Sequence, residues 1–138
     1  MNCMNAQSAL FVITPTASDV AAGGAIPLST VARRITPRIT LGSDSVSVAV
    51  PGYYELNATI TFTASAAGDV TIAAYQNGVA VPGITATETI TTADTEVRTL
   101  ALHGIVRVRC EPIAITLVNE SEVAIATSNV ALSLVRID

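Results

Sequence analysis

Gly52-Tyr-Tyr-Glu-Leu-Asn-Ala-Thr-Ile-Thr-Phe-Thr-Ala64 is followed by Ser65-Ala-Ala-Gly68 and then by Asp69-Val-Thr-Ile-Ala-Ala-Tyr-Gln76, which ends against Asn77-Gly78. Tyr54, Leu56, Ala58, Ile60, Phe62 and Ala64 fall on one parity, and Tyr53, Glu55, Asn57, Thr59, Thr61 and Thr63 on the other. An apolar set alternating with a polar set is the period-two pattern of a long strand with one buried and one wet face. Ser65–Gly68 makes a turn, and Val70, Ile72 and Ala74 continue the buried parity. Asn77-Gly78 supplies the two positive-φ residues that a type I′ hairpin needs, with Val79–Pro82 as the returning partner.

Upstream, Ser45–Val50 alternates with Val46, Val48 and Val50 inward, and Pro51-Gly52 turns into the long strand. Ala9–Ile13 reads as a buried first strand, ended by Thr14-Pro15. Ser18–Gly24 is small and polar. Ala25–Leu28 belongs at a sheet edge or strand start, because Pro27 cannot donate to a ladder. Ser29–Pro37 reads as a connection, Arg38–Leu41 as a short strand and Gly42–Asp44 as a turn. Downstream, Ile84–Ile90 within the Thr-rich Gly83–Thr95 segment fits either a strand or an ordered loop. Glu96–Cys110 places Leu100, Leu102, Val106, Val108 and Cys110 on one parity, and Gly104 marks a bulge, a bend or a break. Ile113–Val118, Val123–Ala126 and Val130–Ile137 are the last strands, separated by turns at Asn119–Glu122 and Ser128-Asn129. No segment sustains a helical period. The count is about nine or ten strands at sandwich or barrel spacing.

The 138 residues are 50% hydrophobic and 13% charged, with a mean hydropathy of +0.55. No apolar run approaches the roughly 18 residues of a membrane helix, so membrane insertion is not expected. Extra burial between subunits accounts for the apolar balance. The net charge is −4 and all seven basic residues are arginine, a poor composition for nucleic-acid binding. Arg33, Arg34 and Arg38 form a cluster suited to a solvated or inter-subunit edge. Residues 1–8 read as a flexible tail and 9–138 as one domain. Met1–Gln7 has neither the positive region nor the apolar run of a secretory signal.

Chemistry is sparse. His103 is the single histidine. Cys110 stands seven positions on, which puts the two side chains on opposite faces of a strand. His103 therefore reads as a strand-face or subunit-axis residue and Cys110 as a small buried hydrophobe. Cys3 lies in the tail, where a bond between chains is conceivable. Asn119, Glu120 and Glu122 could hold a calcium ion, although a solvated turn is the default. Asn57-Ala-Thr59 and Asn119-Glu-Ser121 match the glycosylation sequon. Tyr53, on the parity opposite the core, is an interface residue or an exposed contact. Gly23-Gly24 lacks the helix and lysine of a phosphate loop. No catalytic, cofactor-binding or metal residue is assigned, no cofactor is expected, and an enzyme is the weakest reading.

Gly52-Tyr-Tyr-Glu-Leu56, preceded by an alternating valine strand, resembles the Gly-x-Tyr core strand of the tumour necrosis factor-like jelly roll, the fold also of complement-type and bacterial collagen-like heads. Ala22–Leu28, Val70–Gly78, and Ile115–Asn119 with Val130–Ile137 resemble further strands of its bacterial and phage members. The resemblance spans about Ala9 to Asp138. It implies an antiparallel all-β jelly-roll sandwich of ten strands, packed as a homotrimer with the apolar outer face of one sheet at the three-fold axis. A collagen-like Gly-X-Y stretch is missing ahead of the domain, unlike stalked members. The expected function is a non-enzymatic structural and interaction module, the trimeric jelly roll of a phage virion as head fibre, decoration or tail-appendage tip. Alternatives are a bacterial surface or spore-coat head, or a glycan- or receptor-binding trimer using Gly83–Thr95 and Asn119–Glu122. Expected partners are further copies of itself, other virion or cell-surface proteins, and a host glycan or receptor. The expected location is a virion, the extracellular space or a cell surface.

Overall fold

The computed structural model describes residues 7–35 and 38–138. Eleven strands lie among them: β1 (Ala9–Thr14), β2 (Ser18–Val20), β3 (Thr30–Arg34), β4 (Ile39–Leu41), β5 (Val46–Val48), β6 (Gly52–Ala64), β7 (Gly68–Gln76), β8 (Val79–Ile90), β9 (Arg98–Val108), β10 (Ile113–Asn119) and β11 (Ile125–Arg136). One sheet runs β3-β1-β11-β6-β9, with β2 also on β11, and the other runs β4-β5-β10-β7-β8. All pairings are antiparallel. The expected all-β jelly-roll sandwich is thus what the chain forms.

The long strand behaves as its alternation predicts. Every even residue of β6 from Tyr54 to Ala64 is buried, and the facing sheet contributes Val46, Val48, Val70, Ile72, Ile115 and Leu117 to the same core. β6 and β7 belong to different sheets, so residues 65–67 carry the chain across the sandwich. Tyr54 is fully buried. Its hydroxyl donates to the Val50 carbonyl at 2.7 Å, so it accepts the 2.7 Å bond shared with the Ser8 hydroxyl. Burial pushes its phenol pKa up, as desolvation disfavours the phenolate. Asn77 and Gly78 have φ of 51° and 81°, the two positive angles the β7–β8 hairpin requires.

Several local expectations are corrected. Residues 30–34 form strand β3 rather than a connection, pairing Arg34 with Leu10 and Arg33 with Phe11; a strand at the rim of the core carries no apolar alternation to announce it. Ser18–Val20 is also a strand, pairing with β11. Residues 84–90 are the second half of β8. Ser128-Asn129 is not a turn: β11 continues through it, with a register shift between Thr127 and Asn129. Ala25 makes a single bridge to Val118, and the Ile26 amide donates to Leu117 at 2.7 Å, so this segment straps onto β10. Phe11 in the first strand is 38% exposed, since an unbroken apolar run hides which parity faces out. Cys110 is exposed, beyond the end of β9, and is disulfide-bonded; it is not a buried hydrophobe, because the strand that would carry it inward stops at Val108. Cys3 and the rest of Met1–Ala6, with Thr36–Pro37, lie outside the described residues.

Gly104 neither bulges nor breaks β9, whose ladder with β6 runs unshifted from Gly52–Val108 to Phe62–Arg98. A Cβ at Gly104 would collide with Ile84 Cγ1 and stand 2.6 Å from its Cδ1. The glycine is there to let β8 close on β9, with Ile84 buried at the seam. Gly104→Ala is expected to cost about 1–3 kcal/mol by overpacking, and the Gly104→Ala/Ile84→Ala double variant, which removes both colliding atoms, should lie at least about 0.5 kcal/mol above the sum of the two single effects in stability. Urea denaturation of the single and double variants checks this; strictly additive effects would contradict the seam.

Candidate functional site

The odd residues of β6 point away from the core, and the register assembles their neighbours into rows. Phe11, Ser133, Asn57 and His103 stand side by side across β1, β11, β6 and β9. The next row is Ile13, Ala131, Thr59 and Ala101, and on the other side lie Ala9, Val135, Glu55 and Ile105. Small residues in the middle leave a shallow hollow of about 270 Å³ between Phe11 and His103. Around it Phe11, Val135 and Ile105 are 38%, 45% and 56% exposed. Phe11 and Val135 are diagonal neighbours and Glu55 separates Val135 from Ile105; exposed apolar residues gathered on one sheet face are a mark of contact surfaces.

Polar groups on this face bond to one another. Asn57 Nδ2 donates to Glu55 Oε1 at 3.0 Å, and His103 Nε2 lies 3.9 Å from the same oxygen. Thr61 and Thr99 share a 3.0 Å bond between hydroxyls. At the rim, Tyr53 carries the Arg107 guanidinium 5.6 Å from its ring centroid. Among the described residues, Ser133 stands two strands from His103, about 10 Å at sheet spacing, and Cys110 is held in a disulfide.

The loops expected to carry recognition are braced. Asn119 is fully buried; its amide donates to Val123 O at 2.9 Å and Ala21 O at 3.3 Å, and its oxygen accepts from the Ser121 amide. Neither a sugar nor a calcium ion has access to that side chain. Glu120 accepts from the Tyr75 hydroxyl, and this bond raises the Tyr75 pKa. Among the described residues no three His, Cys, Asp or Glu side chains group to hold a metal. Asn57, the other sequon asparagine, is exposed. In the connection from β8 to β9, Glu96 accepts from the Thr91 and Thr92 amides at 2.9 Å each, from the Thr91 hydroxyl at 2.7 Å and from Arg98 Nε at 2.7 Å.

These two sheets, with their strand order, have the tumour necrosis factor-like jelly-roll fold. Murine APRIL at pH 5.0 superposes with a TM-score of 0.72 at 11% identity, over 96% of this chain and 100% of that one. The globular domain of zebrafish complement 1qA gives 0.65 at 8% identity, over 91% and 94%. The PRD1 vertex protein P5 gives 0.60 at 12% identity, over 98% and 100%. No protein-family model and no curated protein sequence matches the chain. At these identities the likeness is one of fold.

Phe11 and Val135 were not legible as surface residues, because each sits in a run where both parities are apolar, whereas Ile105 falls on the parity opposite Leu100, Leu102, Val106 and Val108. Tyr53, by contrast, is where its parity places it, 44% exposed. The bonds from Thr91, Thr92 and Arg98 hold the Glu96 carboxyl at about 2, down from 4.5. A depressed carboxyl pKa contributes stability that is complete above pH 4.5 and lost as the pH falls towards 2. The melting-temperature gap between the protein and its Glu96→Gln variant should therefore be constant above pH 4.5, shrink below it and close near pH 2. Thermal scans across that range check the expectation.

Proposed function

We propose that this chain is a non-enzymatic structural and interaction module that works as a homotrimer, and that its place is a phage virion, as a head fibre, decoration or tail-appendage tip. The outer face of the six-stranded sheet carries the reading. Phe11, Val135 and Ile105 expose apolar side chains around a hollow floored by Ala101, Ala131 and Ser133. Obligate interfaces are apolar in this way, like a core cut in half. The absence of a nucleophile–base pair at His103 among the described residues supports a non-enzymatic role. The fold likeness to the PRD1 vertex protein P5 favours the virion. A head displayed on a bacterial surface is the second reading, in which the same fold serves as a globular domain, as it does in complement 1qA.

Light scattering on the purified protein is expected to give three times the 14.2 kDa chain mass. Ala101→Arg or Ala131→Arg, each placing a charge in the hollow, should yield folded monomer with an unchanged β-sheet circular dichroism spectrum. A stable monomer from the unsubstituted protein would overturn the trimer. Immunogold labelling with an antibody to the chain separates the two locations: particles labelled on purified virions support the first, and labelled cell surfaces the second.

A further inference from the structure

Charge is segregated along the strand axis. Every arginine except Arg98 lies in the half of the sandwich that holds Gly52: Arg34 pairs with Leu10, Arg136 with Tyr54 and Arg107 with Tyr53. Asp19, Asp69, Glu88, Asp94, Glu96 and Glu120 lie in the half that holds Ala64. A chain with a net charge of −4 thus presents one basic end.

At that end Arg107 and Arg109 form the common wall of two adjoining hollows. One, of about 370 Å³, is lined also by Tyr53, Arg136 and Asp138. The other, of about 420 Å³, is lined also by Gln76, Asn77 and Glu111. Both have the size of small-ligand sites. The first already holds a carboxylate: Asp138 Oδ1 accepts from the Tyr53 amide at 3.1 Å and lies 3.2 Å from Arg136 Nε. That contact engages Arg136. Among the described residues neither Arg107 nor Arg109 has a carboxylate at ion-pair distance. The Tyr53 ring steadies the Arg107 guanidinium, and a steadied guanidinium offers its N–H fork to a planar or tetrahedral oxyanion.

We propose that the Arg107–Arg109 ridge is a binding site for the oxyanion group (carboxylate, sulfate or phosphate) of a small ligand. Asp138 and Arg136 form the closed end of the first hollow, and the ligand's remaining atoms lie along the ridge against Tyr53 on one side or Gln76 and Asn77 on the other. Tyr53 and Arg107 stand at the rim of the sheet face that carries Ile105, so the site rests on the proposed trimer leaving that rim open.

The test is calorimetric titration of the full chain with sodium glucuronate, sodium sulfate and sodium phosphate, with glucose as the neutral control. Binding by the anions and not by glucose, weakened by added sodium chloride, is expected. An Arg107→Gln/Arg109→Gln double variant should bind about tenfold more weakly or worse, the loss of charge-assisted hydrogen bonds. Tighter binding of glucuronate than of the inorganic ions identifies the source as an anionic saccharide, and the reverse order identifies a free anion. Equal binding by glucose, equal binding by the double variant, or no binding of any anion overturns the site. Light scattering is run on the same samples. A double variant that loses only its oligomeric state, with anion binding unchanged, assigns the ridge to subunit contact and also overturns the proposal.

Discussion

The registration of β6 between β11 and β9 is the constraint on which the rest of the sandwich depends. It is paired along nearly its whole length on both sides, from Tyr54–Arg136 to Ala64–Ile125 and from Gly52–Val108 to Phe62–Arg98. A slip of one residue would turn Leu56, Ile60 and Phe62 to solvent and bury Glu55, Asn57 and Thr61, exchanging core and surface at once. The same pairing sets which side chains stand beside Asn57 and Thr59 on the outside. One strand thereby fixes both the packed interior and the rows of the outer face. Its first residues explain themselves in the same terms. Gly52 has a φ of 146°, and a Cβ there would collide with Arg136 Nε and stand 2.7 Å from Asp138 Oδ1. Tyr54 is the residue that reaches both Ser8 and Val50 from inside the core.

What was legible in the sequence was whatever is written in local alternation and turn chemistry. The β6 and β7 parities, the valines of β5 and the Asn77-Gly78 hairpin all stand as read, and with the Gly-x-Tyr pattern they led to the right fold. What was not legible rests on partners distant in the chain. Parity does not tell which sheet a strand joins, so the crossing at residues 65–67 leaves no mark. Gly104 looked like a defect in its own strand, because the reason for it, Ile84, lies twenty positions away on another. Ser128-Asn129 has turn composition, yet β6 on one side holds it in a bulged ladder. β3 has no periodicity to find.

The candidate surface divides in the same manner. Tyr53 and His103 were readable as outward-facing from parity alone. Phe11 and Val135 were not, since their neighbours in sequence are apolar too and only the sheet decides which set is covered; Ile105 shares the parity of His103. The turns that looked available for recognition proved to be internally bonded. The Asn119 amide bonds the carbonyls of Val123 and Ala21, and the Glu96 carboxylate bonds the amides of Thr91 and Thr92, the Thr91 hydroxyl and Arg98, so both side chains are engaged within the fold.

The free margins of the two sheets carry a further consequence. β3 closes one margin with five residues that include Arg33 and Arg34, and β4 closes another with three. β8, at the far margin, contains Pro82, which has no amide proton to offer, followed by Gly83 with a φ of 86°. Short, charged or donor-poor margins resist the strand-by-strand addition that builds fibrils. The fourth margin, β9, runs eleven residues and meets β8 at the Gly104–Ile84 seam. Three of the four margins are thus poor templates for a further strand.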